Sequence, residues 1–293
     1  MSEEIKNTAI TAAGYIYQNR QGLRLLCDWL DAPTRFTRVK FECDDEAVAP
    51  KGLDDIVAER ADDLIDLEQV KYTPNPGAHA LSWEWMLEKA GTTARSRSML
   101  RKWFDAFAAL DPARVGVLSL RTNRRPDAEV EACLSGGKID FAKVPEPRRS
   151  ALIAELGDQE KCEAFFSQLQ VLHSDKGFES LEHEVDARLH RHGTPEGIAN
   201  LKNVALNWAI RKNSPPPDGW ISLNQVLTIL RAAPAAPLPE DFFVPLGYEV
   251  PDETFHRDFV RDTAAGAGQA FVLTGPPGRG KSTYLFTQRS KTR

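Results

Sequence analysis

Two short segments, GLDDIVAER (residues 52–60) and DLIDLEQVKYT (residues 63–73), meet across an acidic turn near Ala61–Asp63 and constrain this chain more than any other stretch. Both read as β-strands bounded by turn residues, so the pair predicts a hairpin. Successive strand residues point to opposite faces, which puts Gln69 and Lys71 on one face and Glu68 on the other. Folding the hairpin about Asp62 sets Asp55 opposite Gln69 and Leu53 opposite Lys71. Moving the turn by half a residue sets Asp54 opposite Gln69 instead. A register slip exchanges the aspartate that points inward, so both arrangements stay open. Either one places an acid beside Gln69 and near Lys71. QVKY also puts polar side chains where a buried strand would carry β-branched ones.

The flanking elements extend the pattern. In TAAGYIYQNRQGLRLLCDWL (residues 11–30), Ala12, Ile16, Leu23, Leu26 and Leu30 recur at helical spacing, which predicts an amphipathic helix with these five on its buried stripe; Pro33 ends it. RFTRVKFEC then alternates as a strand. Residues 82–110 read as a helix with Trp83, Met86, Leu87, Leu100, Phe104 and Phe107 on its apolar side, and RVGVLSLRTN reads as a buried strand. The order is helix, three strands, helix, strand: a mixed α/β unit over residues 1–145. Residues 146–232 read as a helical extension, 233–250 as a proline-rich linker, and 251–293 as a helix and a strand running into a glycine-rich loop.

Composition bounds the rest. No apolar run reaches the roughly 18 residues needed to span a bilayer, and MSEEIKNTAI has no apolar signal core. The four cysteines form no CxxC pair, so reduced thiols are expected rather than zinc, and a cytoplasmic location with no membrane partner. The net charge of -5 argues against a generally adhesive nucleic-acid binder. It leaves room for a local basic groove, for which Arg95, Arg97, Arg101, Lys102, Arg121, Arg124, Arg125, Arg148 and Arg149 are available. His190 and His192, with no nearby partners in sequence, read as surface residues. Trp83 and Trp85 read as core before base-stacking.

GPPGRGKST (residues 275–283) fits G-x-x-x-x-G-K-S/T and follows an apolar strand. In such a loop backbone N–H groups cradle phosphates, a lysine reaches the β/γ-phosphates and a hydroxyl holds Mg²⁺. Gly275, Gly278, Gly280, Lys281, Ser282 and Thr283 are the expected ATP-binding residues. A complete nucleotide domain needs on the order of 150 further residues. The chain is therefore expected to be the front part of a larger protein and not to hydrolyse ATP by itself.

The acid, amide and lysine of the hairpin make a set suited to phosphodiester cleavage. A carboxylate and an amide oxygen suit Mg²⁺, and an ammonium can stabilise charge growing on phosphate. The layout resembles the PD-(D/E)XK nuclease superfamily, in which a strand aspartate precedes a (D/E)-x-K strand. Here QVK stands in that place, with Gln69 replacing the acid as in Mrr-like restriction nucleases. AAGYIYQNRQGLRLL, GLDDIV, LEQVKY and LSLRTN together resemble the double-strand DNA endonuclease effector domain of anti-phage systems, found in CBASS effectors and ahead of antiviral STAND NTPases. The resemblance implies a restriction-endonuclease-like mixed sheet flanked by helices. It implies a metal site from Asp54 or Asp55 with Gln69, and Lys71 and Gln18 as further catalytic residues. Its implied ligands and partners are Mg²⁺, ATP, double-stranded DNA, a further copy of the chain on activation and a phage-derived trigger. A non-catalytic nuclease fold, serving as a DNA-binding or oligomerisation module of an ATP-driven switch, is the alternative.

Overall fold

The computed structural model describes residues 7–231, except 90, 92–95, 212, 214, 216 and 217, and of residues 7–10 the backbone alone. The chain opens with α1 (Asn7–Asp31), followed by β1 (Phe36–Phe41), β2 (Ile56–Arg60) and β3 (Ile65–Lys71). Then come α2 (Trp83–Leu87), α3 (Met99–Ala108), β4 (Val115–Thr122) and α4 (Ala128–Cys133). A two-residue hairpin, β5 (Leu134–Ser135) and β6 (Lys138–Ile139), turns through Gly136 and Gly137 at φ 57° and 78°, a left-handed pair that glycine adopts at low cost. The rest is α5 (Arg148–Leu156), α6 (Gln159–Gln168), β7 (Leu169–Leu172), α7 (Phe178–Leu189), α8 (Pro195–Ile210) and α9 (Leu223–Arg231).

Among the described residues these strands form one seven-stranded mixed sheet in the order β1-β2-β3-β4-β7-β6-β5. β1, β2 and β3 are antiparallel neighbours, and β3 runs parallel to β4 and β4 to β7. One face carries Val57, Leu67, Leu118, Leu120 and Val171 and packs against Trp83, Leu100, Phe104, Phe165 and Phe166 of α2, α3 and α6. The other carries Val39, Phe41, Ile56, Ala58 and Val70 and packs against Leu23, Leu26, Leu181, Leu201 and Leu230 of α1, α7, α8 and α9. The fold is thus a three-layered α/β arrangement, with apolar residues of alternate parity feeding two separate cores.

Three sequence expectations change. One compact unit runs from Met1 to Ala233, so residue 145 is not a boundary between units. Residues beyond it supply β7 to the sheet interior and α7–α9 to the second core. The helix expected over residues 82–110 is two helices, each with its own cap: Ser82 Oγ accepts from Trp85 N, and Ser98 Oγ from Arg101 N, both at 3.1 Å. The buried stripe of α1 holds at Leu23, Leu26 and Leu30, whereas Ala12 and Ile16 are exposed. The second unit, Pro234–Arg293, contains GPPGRGKST. Gly275, Gly278, Gly280, Lys281, Ser282 and Thr283 lie outside the described residues, as do the expected linker and the 251–293 segment.

The helices on the α1 side are seated closely. Thr194 caps α8, accepting from Gly197 N at 3.1 Å, and a Cβ built on Gly197 would stand 2.1 Å from the Leu230 carbonyl oxygen. That neighbour is backbone and cannot swing aside. Gly197→Ala is therefore expected to push α9 outward and cost about 1–3 kcal/mol. Thermal unfolding checks this; an unchanged melting temperature would show that α9 yields freely.

Candidate functional site

β2 and β3 pair Ile56 with Glu68 and Val57 with Leu67, which is the register folded about Asp62. Continued to the start of β2, it sets Asp55 beside Gln69. Asp55 Oδ2 accepts hydrogen bonds from Gln69 Nε2 and from Val70 N (2.7 Å), and Lys71 Nζ stands 3.9 Å from the same oxygen. Oδ1 takes part in none of these. Asp55, Gln69 and Lys71 therefore meet at one end of the sheet. Asn123 holds that end of β3 in place: its side chain accepts from Thr73 N (2.9 Å) and donates to Thr73 O (2.7 Å).

Asp54 does not join them. Its Oδ1 accepts from Gly52 N at 2.8 Å, so this carboxylate closes the turn before β2. Gln18 reaches the site at one remove, through a 2.6 Å bond from its Nε2 to Glu42 Oε1. Glu68 lies on the opposite sheet face in a two-bond pair with Arg121 (2.8 and 3.0 Å).

Glu42 was not expected from the sequence. It follows β1 with φ 49°, its N–H donates to Asp55 O at 3.0 Å, and its charge bears on Asp55. Only the β1–β2 register reveals this neighbour, and the irregular residues 42–55 between those strands hide that register. The nearest sequence signal is the alternation in RFTRVKFEC.

Burial dominates the electrostatics. Asp55 is 8% exposed, and desolvation of its charged form, reinforced by Glu42 and Asp54, pushes its carboxyl up to about 7 despite Lys71 and the Val70 N–H. A carboxyl poised near neutrality is the state that an added cation would convert to carboxylate. Gln69, 3% exposed, presents its amide N–H to Asp55, which fixes the opposite orientation for Oε1; that buried oxygen has no hydrogen-bond partner. A half-turn of the amide would bring that oxygen to the Asp55 carboxylate, a pair that fits a hard divalent cation. Among the described residues no group of three His, Cys, Asp or Glu side chains is arranged to hold a metal. A cation here would rest on one carboxylate, one amide oxygen and water, a set Mg²⁺ accepts because it keeps several waters.

The arginines offered for a basic groove are largely engaged within the fold. Arg97 and Arg101 pair with Asp105 (2.6 and 2.8 Å), and Arg148 with Glu84 and Glu129 (2.5 and 3.1 Å). Arg149 donates to the carbonyls of Ala142 and Val144, and Arg124 stacks 4.4 Å over Trp85. Lys102 and Arg125 are exposed, and Arg95 lies outside the described residues. Trp83 is buried, His192 bonds Asp31 (2.9 Å) and His190 bonds the Asp186 carbonyl (2.7 Å), all structural contacts. Cys27, Cys43, Cys133 and Cys162 are buried free thiols. Among the described residues no helix is long and apolar enough to cross a membrane. Comparison with family models and with curated protein sequences finds no match.

Proposed function

We propose that this chain carries a metal-dependent endonuclease domain of the PD-(D/E)XK type, acting on double-stranded DNA as the effector of an anti-phage STAND-like switch. The observation that supports it most is the meeting of Asp55, Gln69 and Lys71 around one oxygen, with the Gln69 carbonyl left over. Asp55 and Gln69 are the residues that would hold Mg²⁺, which when bound supplies Lewis acidity toward a phosphodiester and a more acidic water. The Lys71 ammonium stabilises negative charge growing on the phosphate. Gln18 restrains Glu42, whose charge keeps Asp55 responsive to a cation. On its sequence alone, GPPGRGKST adds ATP as the ligand that drives assembly of nuclease domains. The domain works in the cytoplasm on this reading, answering a phage-derived trigger.

Lys71→Ala is expected to lower Mg²⁺-dependent plasmid cleavage by at least about a hundredfold while lowering the melting temperature only modestly near neutral pH, because Asp55 can take up a proton when its 3.9 Å partner is lost. Plasmid left intact by concentrated, artificially dimerised wild-type protein would sink the catalytic reading. The internal pairing of Arg97, Arg101 and Arg148 favours the second reading, a nuclease fold kept as an assembly module. That reading expects oligomerisation without cleavage.

A further inference from the structure

Beside Asp55, α1 and α8 leave an apolar cleft of about 550 Å³. Four large side chains stand at it in water: Tyr15 is 60% exposed, Ile16 39%, Leu206 40% and Ile210 69%. Phe41 and Ile56 line its depth and are buried. Gln18, Glu42 and Asp55 line it too, so it is continuous with the candidate site. Such exposed apolar surface on a charged protein marks a place where something binds.

The polar groups narrow what that is. Asn19 lines the cleft and is 4% exposed. Its Oδ1 accepts from Arg20 Nη1 at 3.0 Å, which fixes Nδ2 as the free end, and this buried donor has no partner. No basic side chain lines the cleft, and two acids do, so a phosphate would find no counter-charge there. The fitting occupant is neutral and largely apolar, and carries a hydrogen-bond acceptor.

We propose that the cleft takes one nucleobase of the DNA strand brought to Asp55, unstacked from its neighbours, with Tyr15 against its face and a base acceptor toward Asn19 Nδ2. The inference rests on the nuclease reading, because the Asp55 site is what brings the strand there. An aromatic ring beside aliphatic walls suits any base face, and the single donor favours bases with a ring nitrogen or carbonyl within reach.

The full chain carrying Lys71→Ala, which prevents cleavage, is titrated with two labelled single strands of equal length, one of deoxyadenylate and one abasic. The deoxyadenylate strand is expected to bind about tenfold more tightly. Tyr15→Ala and Asn19→Leu are each expected to remove most of that difference and leave the abasic affinity unchanged, with melting curves verifying that both variants fold. Equal affinity for the two strands, or a preference that survives both substitutions, overturns the subsite and leaves the nuclease reading standing. Failure to bind either strand or a duplex overturns both. If Tyr15→Ala instead turns a dimer into a monomer in sedimentation without changing base preference, the cleft belongs to a second copy and the inference fails.

Discussion

Asp55→Asn is expected to abolish Mg²⁺-dependent cleavage and at the same time to make the metal-free protein more stable above neutral pH. The two effects have one cause. Asp55 sits at 8% exposure with its carboxyl pushed up to about 7 from an ordinary value of 3.8, chiefly by burial. In the unfolded chain the group loses its proton near pH 4; in the folded chain it keeps the proton to about pH 7. Between those values the folded state binds more protons, so wild-type stability falls as pH rises, and the loss is complete above pH 7. Each unit is about 1.4 kcal/mol, so roughly 3 units amount to on the order of 4 kcal/mol. Asparagine keeps an acceptor for Gln69 Nε2 and Val70 N and never charges. Denaturant titrations at about pH 5 and about pH 8 separate the outcomes: part of the wild-type loss is already present at the lower pH, so the variant's advantage should be clearly wider at the higher. Parallel pH dependence would mean that Asp55 titrates normally.

The cation enters the same linkage with opposite sign. Mg²⁺ prefers the carboxylate, so its stabilisation of the wild type should grow as pH rises through 7 and be absent from Asp55→Asn. This readout needs no catalysis, so it tests the ligand set independently of whether DNA is cut.

Much of the site was legible because strand parity is local. Once two strands join through a short turn, the numbers alone place one aspartate, Asp54 or Asp55, opposite Gln69 with Lys71 two residues on. A structural detail resolves it: Asp54 closes the turn through Gly52 N. What stayed hidden was set by tertiary contact. Glu42 is brought to Asp55 by a pairing across an irregular connection. β7 is four residues following directly on α6, and it is a strand because a parallel neighbour, β4, supplies its hydrogen bonds. Helical periodicity through Gln168 runs straight into it, which is why 146–232 read as helical throughout. On α1, apolar spacing marked Ala12 and Ile16 for the core, but α1 and α8 leave a cleft there and both side chains stay exposed. Periodicity reports which residues share a face, and whether anything covers that face depends on the rest of the fold.

Arg121→Ala is the substitution expected to cost the most stability, about 3–5 kcal/mol. Arg121 is bound through Nε and Nη2 to Glu68 (2.8 and 3.0 Å) and through Nη1 to Asp175 (3.2 Å), with side-chain exposures of 20%, 15% and 10% for the three residues. Burial works to lower the affinity of the guanidinium for its proton, but the two carboxylates outweigh it and hold Arg121 above the ordinary range. Truncation leaves Asp175 with Arg24 (3.0 and 2.9 Å) and Gln21 (3.0 Å), but strips Glu68 of its charge partner, with Ser119 Oγ at 3.3 Å beside it. The unpaired Glu68 charge, more than the lost pair, sets the cost. Arg121→Met with Glu68→Leu should therefore recover most of the loss, since apolar side chains of similar size avoid the desolvation that the ion pair only offsets. A double-mutant cycle in denaturant measures this, and a double variant as unstable as Arg121→Ala would refute it. Glu68 is also the residue before Gln69, anchoring β3 from the face opposite the candidate site. The double variant should consequently keep Mg²⁺-dependent stabilisation, because the backbone carrying Gln69 and Lys71 is held by its β2 and β4 ladders and by the Asn123 clamp rather than by the ion pair.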